Sequence, residues 1–271
     1  MDAFKDRVAV ITGGAGGIGM AMARAFAARG ARVVLADLDE VALQNAVATL
    51  TSEGARAVGV PTDVTKLESV QNLADASLHH FGAVHIVCNN AGVATFGLIA
   101  NATHRDWQFT MNVNFWGVVH GVETFVPLLL AEHNGGHIVN TASMAGLVGM
   151  QWLGIYCASK FAVVGLTEAL QRELKPAGIG VSVLCPMIVA TNINENSVRM
   201  RPEGLRNAGA PATLPSANEL KGGTIPAEEV ARRVVRAIER NDLYILTHPE
   251  QRDFLKRRAE KLDGMFAADR W

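Results

Sequence analysis

A run of glycines between a strand and a helix constrains the fold of this chain more than any other feature. Residues 8–12 form an apolar run that predicts a strand, a helical stretch begins at residue 17, and the junction reads TGGAGGIG. Glycine permits a tight turn, and a helix N-terminus presents free N–H groups to a phosphate. The run fits both the GxGxxG and the TGxxxGxG spacing, which a merely flexible turn does not require. The residues expected to hold a dinucleotide there are Gly13, Gly17, Ile18 and Gly19.

Short β-rich runs alternate with helical stretches as far as residue 185. The predicted strands span residues 8–12, 31–36, 55–60, 84–88, 137–141 and 181–185, and the helices between them span 17–28, 40–53, 66–81, 103–132 and 156–175. This alternation predicts βαβ units, and nearly continuous apolar runs are typical of strands buried on both faces. We expect an α/β fold, a doubly wound Rossmann-type parallel sheet of about seven strands with helices on both faces.

The regular alternation ends after Pro186. Residues 192–224 are rich in Asn, Pro, Gly and Arg and lack sustained periodicity, so we predict a substrate loop over about 192–225. A helix over 227–240, a strand near 243–246 and a charged helical tail over about 249–271 follow. Since no linker or repeat divides the chain, residues 1–271 are expected to form a single dinucleotide-binding catalytic domain.

Composition and charge argue against several function classes. The 271 residues are 49% hydrophobic and 19% charged with a net charge of −1, which suits a large buried sheet and offers no basic patch to nucleic acid or an anionic membrane. Cys88, Cys157 and Cys185 lack disulfide or metal-ligand spacing, which favours buried thiols in a reducing cytoplasm. We expect no metal site, no signal peptide and no apolar run long enough to cross a bilayer, and therefore a cytoplasmic protein.

Polar residues follow the second, third and fourth predicted strands. The second ends in ADLD, where Asp37 is placed to bind an adenosine ribose hydroxyl and to repel a 2′-phosphate. Because no Arg or Lys lies in the glycine run or directly after Asp37, we predict NAD rather than NADP, unless an arginine from elsewhere in the fold reaches the site. Asp63 and Val64 are expected near the adenine. Asn89 and Asn90 either contact the cofactor or bond the turn backbone, and the two roles are compatible.

A tyrosine and a lysine at helical spacing predict the reaction chemistry. Tyr156 and Lys160 are four residues apart, so their side chains share one helix face. An ammonium group beside a phenol stabilises the phenolate and lowers its pKa from about 10. Ser143 follows the fifth predicted strand, at the same sheet edge, where its hydroxyl can hold a substrate oxygen. Alone, a Tyr–Lys pair is more often a surface pair, and Asn114, an amide inside an apolar helix, is more often structural.

Together these residues resemble the short-chain dehydrogenase/reductase family, in its single-domain branch. The resemblance covers, in order along the chain, the glycine run, Asp63, residues 89–92, Asn114, Ser143, Tyr156 and Lys160. It implies that Asn114 anchors a water next to Lys160, which completes a proton relay from Tyr156, and that Lys160 binds the nicotinamide ribose. It also implies that Thr191 contacts the nicotinamide carboxamide, and that a homotetramer or homodimer packs through the helices beginning near 103 and 156. Met187 is a departure, because the family usually has glycine there.

The expected function is NAD-dependent interconversion of a secondary alcohol and a ketone. Apolar residues favour a bulky apolar or aromatic small-molecule substrate; they are Met144, Leu147, Val148, Met150, Trp152, Leu153, Met200 and Leu205. Residues 191–202 and 241–250 further resemble bacterial dehydrogenases of benzylic aryl-ether alcohols and reductases of bulky ketones. The alternatives are an NADPH-dependent ketone or 3-oxoacyl reductase and a catalytically inactive dinucleotide-binding sensor or scaffold. The natural substrate, its stereochemistry and the physiological direction stay open.

Overall fold

Seven parallel strands form one sheet in the computed structural model, which describes residues 3–208 and 223–266. The strands are β1 (Val8–Thr12), β2 (Arg32–Asp37), β3 (Arg56–Pro61), β4 (Ile86–Asn89), β5 (Gly136–Thr141), β6 (Ile179–Cys185) and β7 (Tyr244–Leu246). Their order across the sheet is β3-β2-β1-β4-β5-β6-β7, and every neighbouring pair is parallel. The predicted doubly wound parallel sheet is confirmed.

The α-helices of the described residues cover both faces of this sheet. They are α1 (Gly17–Ala27), α2 (Glu40–Ser52), α3 (Leu67–Phe81), α4 (His104–Met111), α5 (Gly117–Ala131), α6 (Gly154–Leu174), α7 (Ile193–Arg199), α8 (Ala227–Arg240) and α9 (Gln251–Asp263). Alternate strand residues serve opposite layers: Ile11 lies in one core with Phe26 of α1, whereas Val10 lies in another with Phe125 of α5 and Leu170 of α6.

Three sequence predictions need correction. The helix predicted over 103–132 is divided by a π-helical turn, Asn112–Trp116. The region predicted as a loop contains α7. The sequence does not reveal this helix, because it is held by polar contacts rather than by an apolar face with helical periodicity. The strand β3 is not buried on both faces; as an edge strand it is half-buried or exposed along its length. Residues 209–222 of the loop and 267–271 of the tail lie outside the described residues.

The helical stretch His104–Ala131 also corrects the expectation about membrane crossing. This stretch, found among the described residues, is long and apolar enough to span a bilayer by length and composition alone, with a mean hydropathy of 1.3. Core helices of soluble proteins pass the same test, and Phe125 and Leu129 of this stretch pack into the core beside the sheet. In a single chain 33% of the apolar window is buried, and the rest is half-buried or exposed.

A long excursion of the chain starts and finishes at one point beside the sheet. Val189 and Ile225 pair in an isolated bridge, where the N–H of Ala190 donates to the Ile225 carbonyl at 3.0 Å. Between them, residues 190–207, which we call the strap, contain α7. The strap lies at the carboxyl edge of the sheet, where parallel α/β folds bind their ligands.

Candidate active site

The glycine turn lies at the carboxyl end of β1 and opens α1. Gly13 and Gly17 have positive φ angles of 63° and 52°, and a Cβ on Gly19 would lie 2.1 Å from the Gly13 carbonyl oxygen. Gly16 is the N-cap residue of α1 and has no side chain, so no side chain there takes up the N–H groups of the first helical turn, including that of Ile18. A glycine-lined, uncapped helix N-terminus fits a pyrophosphate. The individual contacts of these residues stay predictions.

Asp37 is fixed beside this turn by two backbone groups. The Ala15 N–H donates to Oδ2 and the Asp39 N–H donates to Oδ1, each at 3.1 Å. The carboxylate is therefore oriented before any ligand arrives, with lone pairs left for hydroxyl donors. The sequence left open an arginine arriving from elsewhere in the fold; Arg199 of α7 reaches this region, but its guanidinium is paired with Asp39 at 2.6 Å.

Asn90 braces the glycine turn from the neighbouring strand. Its Nδ2 donates to the Thr12 carbonyl at 3.0 Å, its backbone N–H donates to the Thr12 hydroxyl at 2.9 Å, and Thr141 donates to its Oδ1 at 3.2 Å. Of the two roles that the sequence left open, bonding of the turn backbone is therefore present. Asn89 instead donates to Asn140 on β5 at 2.9 Å, within the core.

Asp63 and Val64 stand where β3 leads into α3. The Asp63 Oδ1 accepts from the Thr65 N–H at 3.0 Å and from the Thr65 hydroxyl at 2.7 Å, and Lys66 pairs with Oδ2 at 3.3 Å. Val64 is buried, and its carbonyl bonds His120 of α5 at 2.8 Å. Both residues thus have a structural role in this turn, and their contact with adenine stays a prediction.

The structure brings Ser143, Tyr156 and Lys160 together beside the carboxyl end of β5. Ser143 follows that strand; its hydroxyl accepts from the Ala145 N–H at 3.2 Å and donates to the Pro186 carbonyl at 3.4 Å, and it is near enough to Tyr156 to act on the pKa of the phenol. Tyr156 and Lys160 lie in the first two turns of α6, with the lysine Nζ 5.7 Å from the phenol ring centroid. That Nζ donates to the Thr141 carbonyl at 2.9 Å. The spacing that is ambiguous in sequence is thus part of one cluster in space.

Burial sets the pKa values of this cluster. It raises the pKa of the Tyr156 phenol to about 12, although the Ser143 hydroxyl acts in the opposite direction. It also lowers the pKa of the Lys160 amine to about 8. In the protein alone burial thus outweighs any lowering of the tyrosine pKa by Lys160, because removing both groups from water disfavours both charged forms. The lowering expected from Lys160 stays a prediction.

The π-helical turn places Asn114 behind this cluster. The Asn114 amide is fully buried; its Oδ1 accepts from the Val93 N–H at 2.8 Å, and its Nδ2 donates to the Val93 carbonyl at 2.9 Å and to Ser159 at 3.1 Å. A Cβ on Gly92 would lie 3.4 Å from Asn114 Oδ1 and 3.5 Å from Lys160 Nζ, so both side chains approach the same backbone. The water expected between Asn114 and Lys160 stays a prediction.

Met187 and Thr191 follow β6 at the same edge. Met187 is not among the described residues with positive φ, so a side chain fits there without backbone strain, and its N–H donates to the Thr247 hydroxyl at 3.3 Å. Thr191 lies against the glycine turn: a Cβ on Gly17 would be 3.0 Å from its Cγ2. Its predicted contact with a nicotinamide carboxamide stays untested.

The apolar stretch after Ser143 divides into two groups. Met144 and Leu153 are buried, and Gln251 of α9 donates to the Met144 sulfur at 3.4 Å, so these two residues serve packing. The remaining members are half-buried, and they are Leu147, Val148, Met150 and Trp152. Trp152 has a φ of 67°, and its carbonyl accepts from the Gly97 N–H at 2.8 Å, so a strained residue shapes this apolar surface.

Sequence reasoning missed the polar residues that support the site. Thr12 and Thr141 hold Asn90 and Lys160, Ser159 holds Asn114, and Asn140 joins Asn89 to Thr167. Asn140 and Thr141 are buried polar residues at the end of β5, at the edge where the predicted site lies, and that position is the signal that marks them.

The comparisons with known proteins agree with this geometry. The family model described as short chain dehydrogenase matches residues 7–202. A C alpha-dehydrogenase of Sphingobium sp. is 36% identical over 95% of this chain and 85% of its own length. A 1-deoxy-11-beta-hydroxypentalenate dehydrogenase of Streptomyces exfoliatus is 34% identical over 92% of this chain and 86% of its own length.

A solved structure extends the likeness to three dimensions. The crystal structure of a short chain dehydrogenase/reductase from Burkholderia phymatum, in complex with NAD, matches with a TM-score of 0.92 and 43% identity, covering 98% of this chain and 97% of that one. The resemblance inferred from the motifs is confirmed. This chain belongs to the short-chain dehydrogenase family and is an oxidoreductase.

Proposed function

We propose that this protein uses NAD to interconvert a secondary alcohol and a ketone. The observation that carries the proposal is the cluster of Ser143, Tyr156 and Lys160, set at the same sheet edge as the uncapped α1 N-terminus and the fixed Asp37 carboxylate. An inactive sensor would need the dinucleotide cradle but not the buried tyrosine and lysine.

The residues divide the chemistry as follows. In the oxidation direction Tyr156 first loses its own proton through Lys160 and its oxygen then accepts the hydroxyl proton of the substrate, while Ser143 holds the substrate oxygen by a hydrogen bond. Bound NAD supplies the acceptor for the carbinol hydride. Lys160, with Asn114 behind it, passes the proton from Tyr156 toward solvent. Ketone reduction runs in reverse and uses the protonated phenol, which is the ordinary form of tyrosine at neutral pH and is favoured further because burial raises the pKa of Tyr156.

Asp37 supports NAD as the cofactor. Its carboxylate is held by two backbone N–H groups, so it cannot easily turn away from a 2′-phosphate placed on the ribose. The complex of the Burkholderia phymatum protein with NAD agrees with this choice. Thr191, Asp63, Val64 and Asn90 complete the proposed contacts with the dinucleotide.

A bulky apolar or aromatic substrate fits the apolar surface formed by the side chains that follow Ser143. Leu147, Val148, Met150 and Trp152 are half-buried, which leaves apolar surface for a ligand to cover. The named substrate of the Streptomyces exfoliatus relative, a hydroxypentalenate, supports an alcohol attached to a carbon framework larger than a simple polyol.

We also propose a homodimer or homotetramer packed through α4, α5 and α6. The apolar window of His104–Ala131 is only 33% buried in one chain, and Trp116 is 48% exposed within it. Light scattering combined with size exclusion gives the mass, and a strictly monomeric protein would contradict this assignment.

The enzymatic test compares two tyrosines. The sequence has 2 tyrosines, so Tyr156→Phe has the matched control Tyr244→Phe, whose hydroxyl bonds Glu168 on the surface. Benzylic, steroid and aliphatic secondary alcohols are assayed with NAD and with NADP. We expect Tyr156→Phe to lower kcat about 10²–10⁴-fold while NAD binding persists, and Tyr244→Phe to change it little. Near-normal turnover by Tyr156→Phe would overturn the mechanism, and preference for NADP would favour the reductase alternative.

A further inference from the structure

The strap crosses the ends of three neighbouring strands. Thr191 lies against Gly17 after β1, the Ala94 N–H after β4 donates to Ser197 at 2.8 Å, and Arg199 pairs with Asp39 after β2. These strands are adjacent in the order β2-β1-β4. The strap therefore runs along the edge on which a dinucleotide lies in folds of this kind.

One foot of the strap is firmly anchored. Arg201 pairs with Asp106 of α4 at 2.8 Å, with the two side chains only 16% and 11% exposed. Asn207 donates to both oxygens of the same carboxylate, at 2.9 and 3.0 Å. A desolvated, multiply bonded pair of this kind keeps its partners together, so the strap does not leave α4 readily.

The helix α7, just before this foot, is held by weaker contacts, the Ser197 hydrogen bond and one exposed ion pair at its last turn. The Arg199 Nη1 lies 2.6 Å from Asp39 Oδ2, and its Nη2 donates to Asn196 one turn earlier at 3.2 Å. The Asp39 Oδ1 accepts from the Ala42 N–H at 3.0 Å, so the carboxylate is also fixed to α2. Arg199 is 57% exposed, and water and salt compete for it.

We propose that Arg199 is a positioning residue whose ion pair with Asp39 holds α7 across the adenosine end of the cofactor cleft and sets the rate at which the dinucleotide leaves. This inference rests on the proposed dinucleotide function. Asp39 lies two residues after Asp37, so the pair joins the strap to the strand end that is expected to carry the ribose. Release of the dinucleotide then requires the exposed pair to open while the foot at Asp106 stays in place.

The experiment measures NADH release by stopped-flow fluorescence after displacement with excess NAD. The variants are Arg199→Met, Asp39→Asn and the double variant; asparagine keeps the helix cap at position 39 and removes only the charge. We expect each single variant to release NADH about three- to five-fold faster, the range that an exposed ion pair supports. The double variant should release it no faster than the singles, because the pair is broken once.

A matched control and a rescue separate position from fold. Glu203→Gln changes one exposed charge of the strap, in the turn after α7, and should release NADH at the wild-type rate. Arg199→Lys should restore most of the slow release, and raising the salt concentration should bring wild type toward Arg199→Met. In turnover, KM for NAD should rise while kcat stays equal or increases.

Two results would count against the inference in different ways. Unchanged release by Arg199→Met and Asp39→Asn, or fully additive effects in the double variant, would overturn the role of Arg199 alone. Failure of the wild-type protein to bind NADH at all would overturn the proposed function from which the inference starts.

Discussion

The buried cluster of Asn114, Ser143, Tyr156 and Lys160, called the wall below, and the strap are held by opposite means. In the wall, Lys160 is 2% exposed and Asn114 is fully buried, and both are fixed by hydrogen bonds inside the core. The strap adds little apolar burial and is fixed by ion pairs and single hydrogen bonds at its edges. Burial gives the wall exact placement at a cost in stability, whereas polar contacts leave the strap able to open.

The largest expected effect tests how much stability the fold loses by burying Lys160. Lys160→Met should lower kcat about 10²–10⁴-fold, since the proton relay loses its cation. Burial holds the pKa of Lys160 at about 8, below its ordinary 10.5, so between these values the unfolded chain binds more protons and the wild type gains stability as pH rises. The stability advantage of Lys160→Met over wild type should therefore shrink from pH 7 to 10.5, by on the order of 3 kcal/mol.

Chemical denaturation across this pH range measures the difference. Lys175→Met removes an exposed lysine from the end of the same helical region and should track the wild type at every pH. Tyr156 contributes the opposite trend, because its raised pKa stabilises the fold below pH 10 and that stability is lost toward pH 12, but it is common to all three proteins. A parallel pH dependence for Lys160→Met and wild type would contradict the buried-lysine account.

The next effect concerns the foot of the strap. Asp106→Asn removes the charge that faces the poorly exposed Arg201 and should lower the free energy of unfolding by about 3 kcal/mol, because it leaves a buried guanidinium without its counter-ion. Combining it with Arg201→Met should recover part of that loss. Glu53→Gln, which breaks the exposed pair with Arg24, should cost under about 1 kcal/mol. If Asp106→Asn and Glu53→Gln lowered the free energy of unfolding equally, the Asp106–Arg201 pair would be no stronger than an exposed surface pair.

The smallest effect lies at the middle contact of the strap. Ser197→Ala removes the acceptor of the Ala94 N–H and should cost about 1 kcal/mol, expressed as faster hydrogen exchange at Ala94 and a few-fold rise in KM. Ser52→Ala, an exposed serine that bonds only its own helix, serves as the control. Unchanged exchange at Ala94 would show that this contact does not hold the strap.

The sequence predicts the wall better than the strap for a physical reason. Local conformational preferences of residue types make three patterns readable: the apolar strand runs, the glycine turn, and the spacing of Ser143, Tyr156 and Lys160. The helix α7 has no apolar stripe to reveal it. Ser197 fastens it to Ala94, which is 103 positions away in the sequence, and Arg199 fastens it to Asp39, which is 160 positions away. Contacts of that range depend on the finished sheet.

Backbone register and solvation are the other features that sequence reasoning misses. The π-helical turn at Asn112–Trp116 re-aims Asn114 without any change in the apolar pattern of the helix. Likewise, the pKa values of Tyr156 and Lys160 follow from how much water surrounds them, which residue spacing does not encode.

The bridge between Val189 and Ile225 has a consequence for how such a protein changes over generations. Since the excursion leaves and rejoins the fold at one point, its length can vary without displacing β6 or α8. Each doubling of a loop's length costs only about 0.6 kcal/mol of closure entropy. If the proposed function holds, exchange of this stretch is expected to alter which molecules are accepted while the sheet that carries Ser143, Tyr156 and Lys160 is kept.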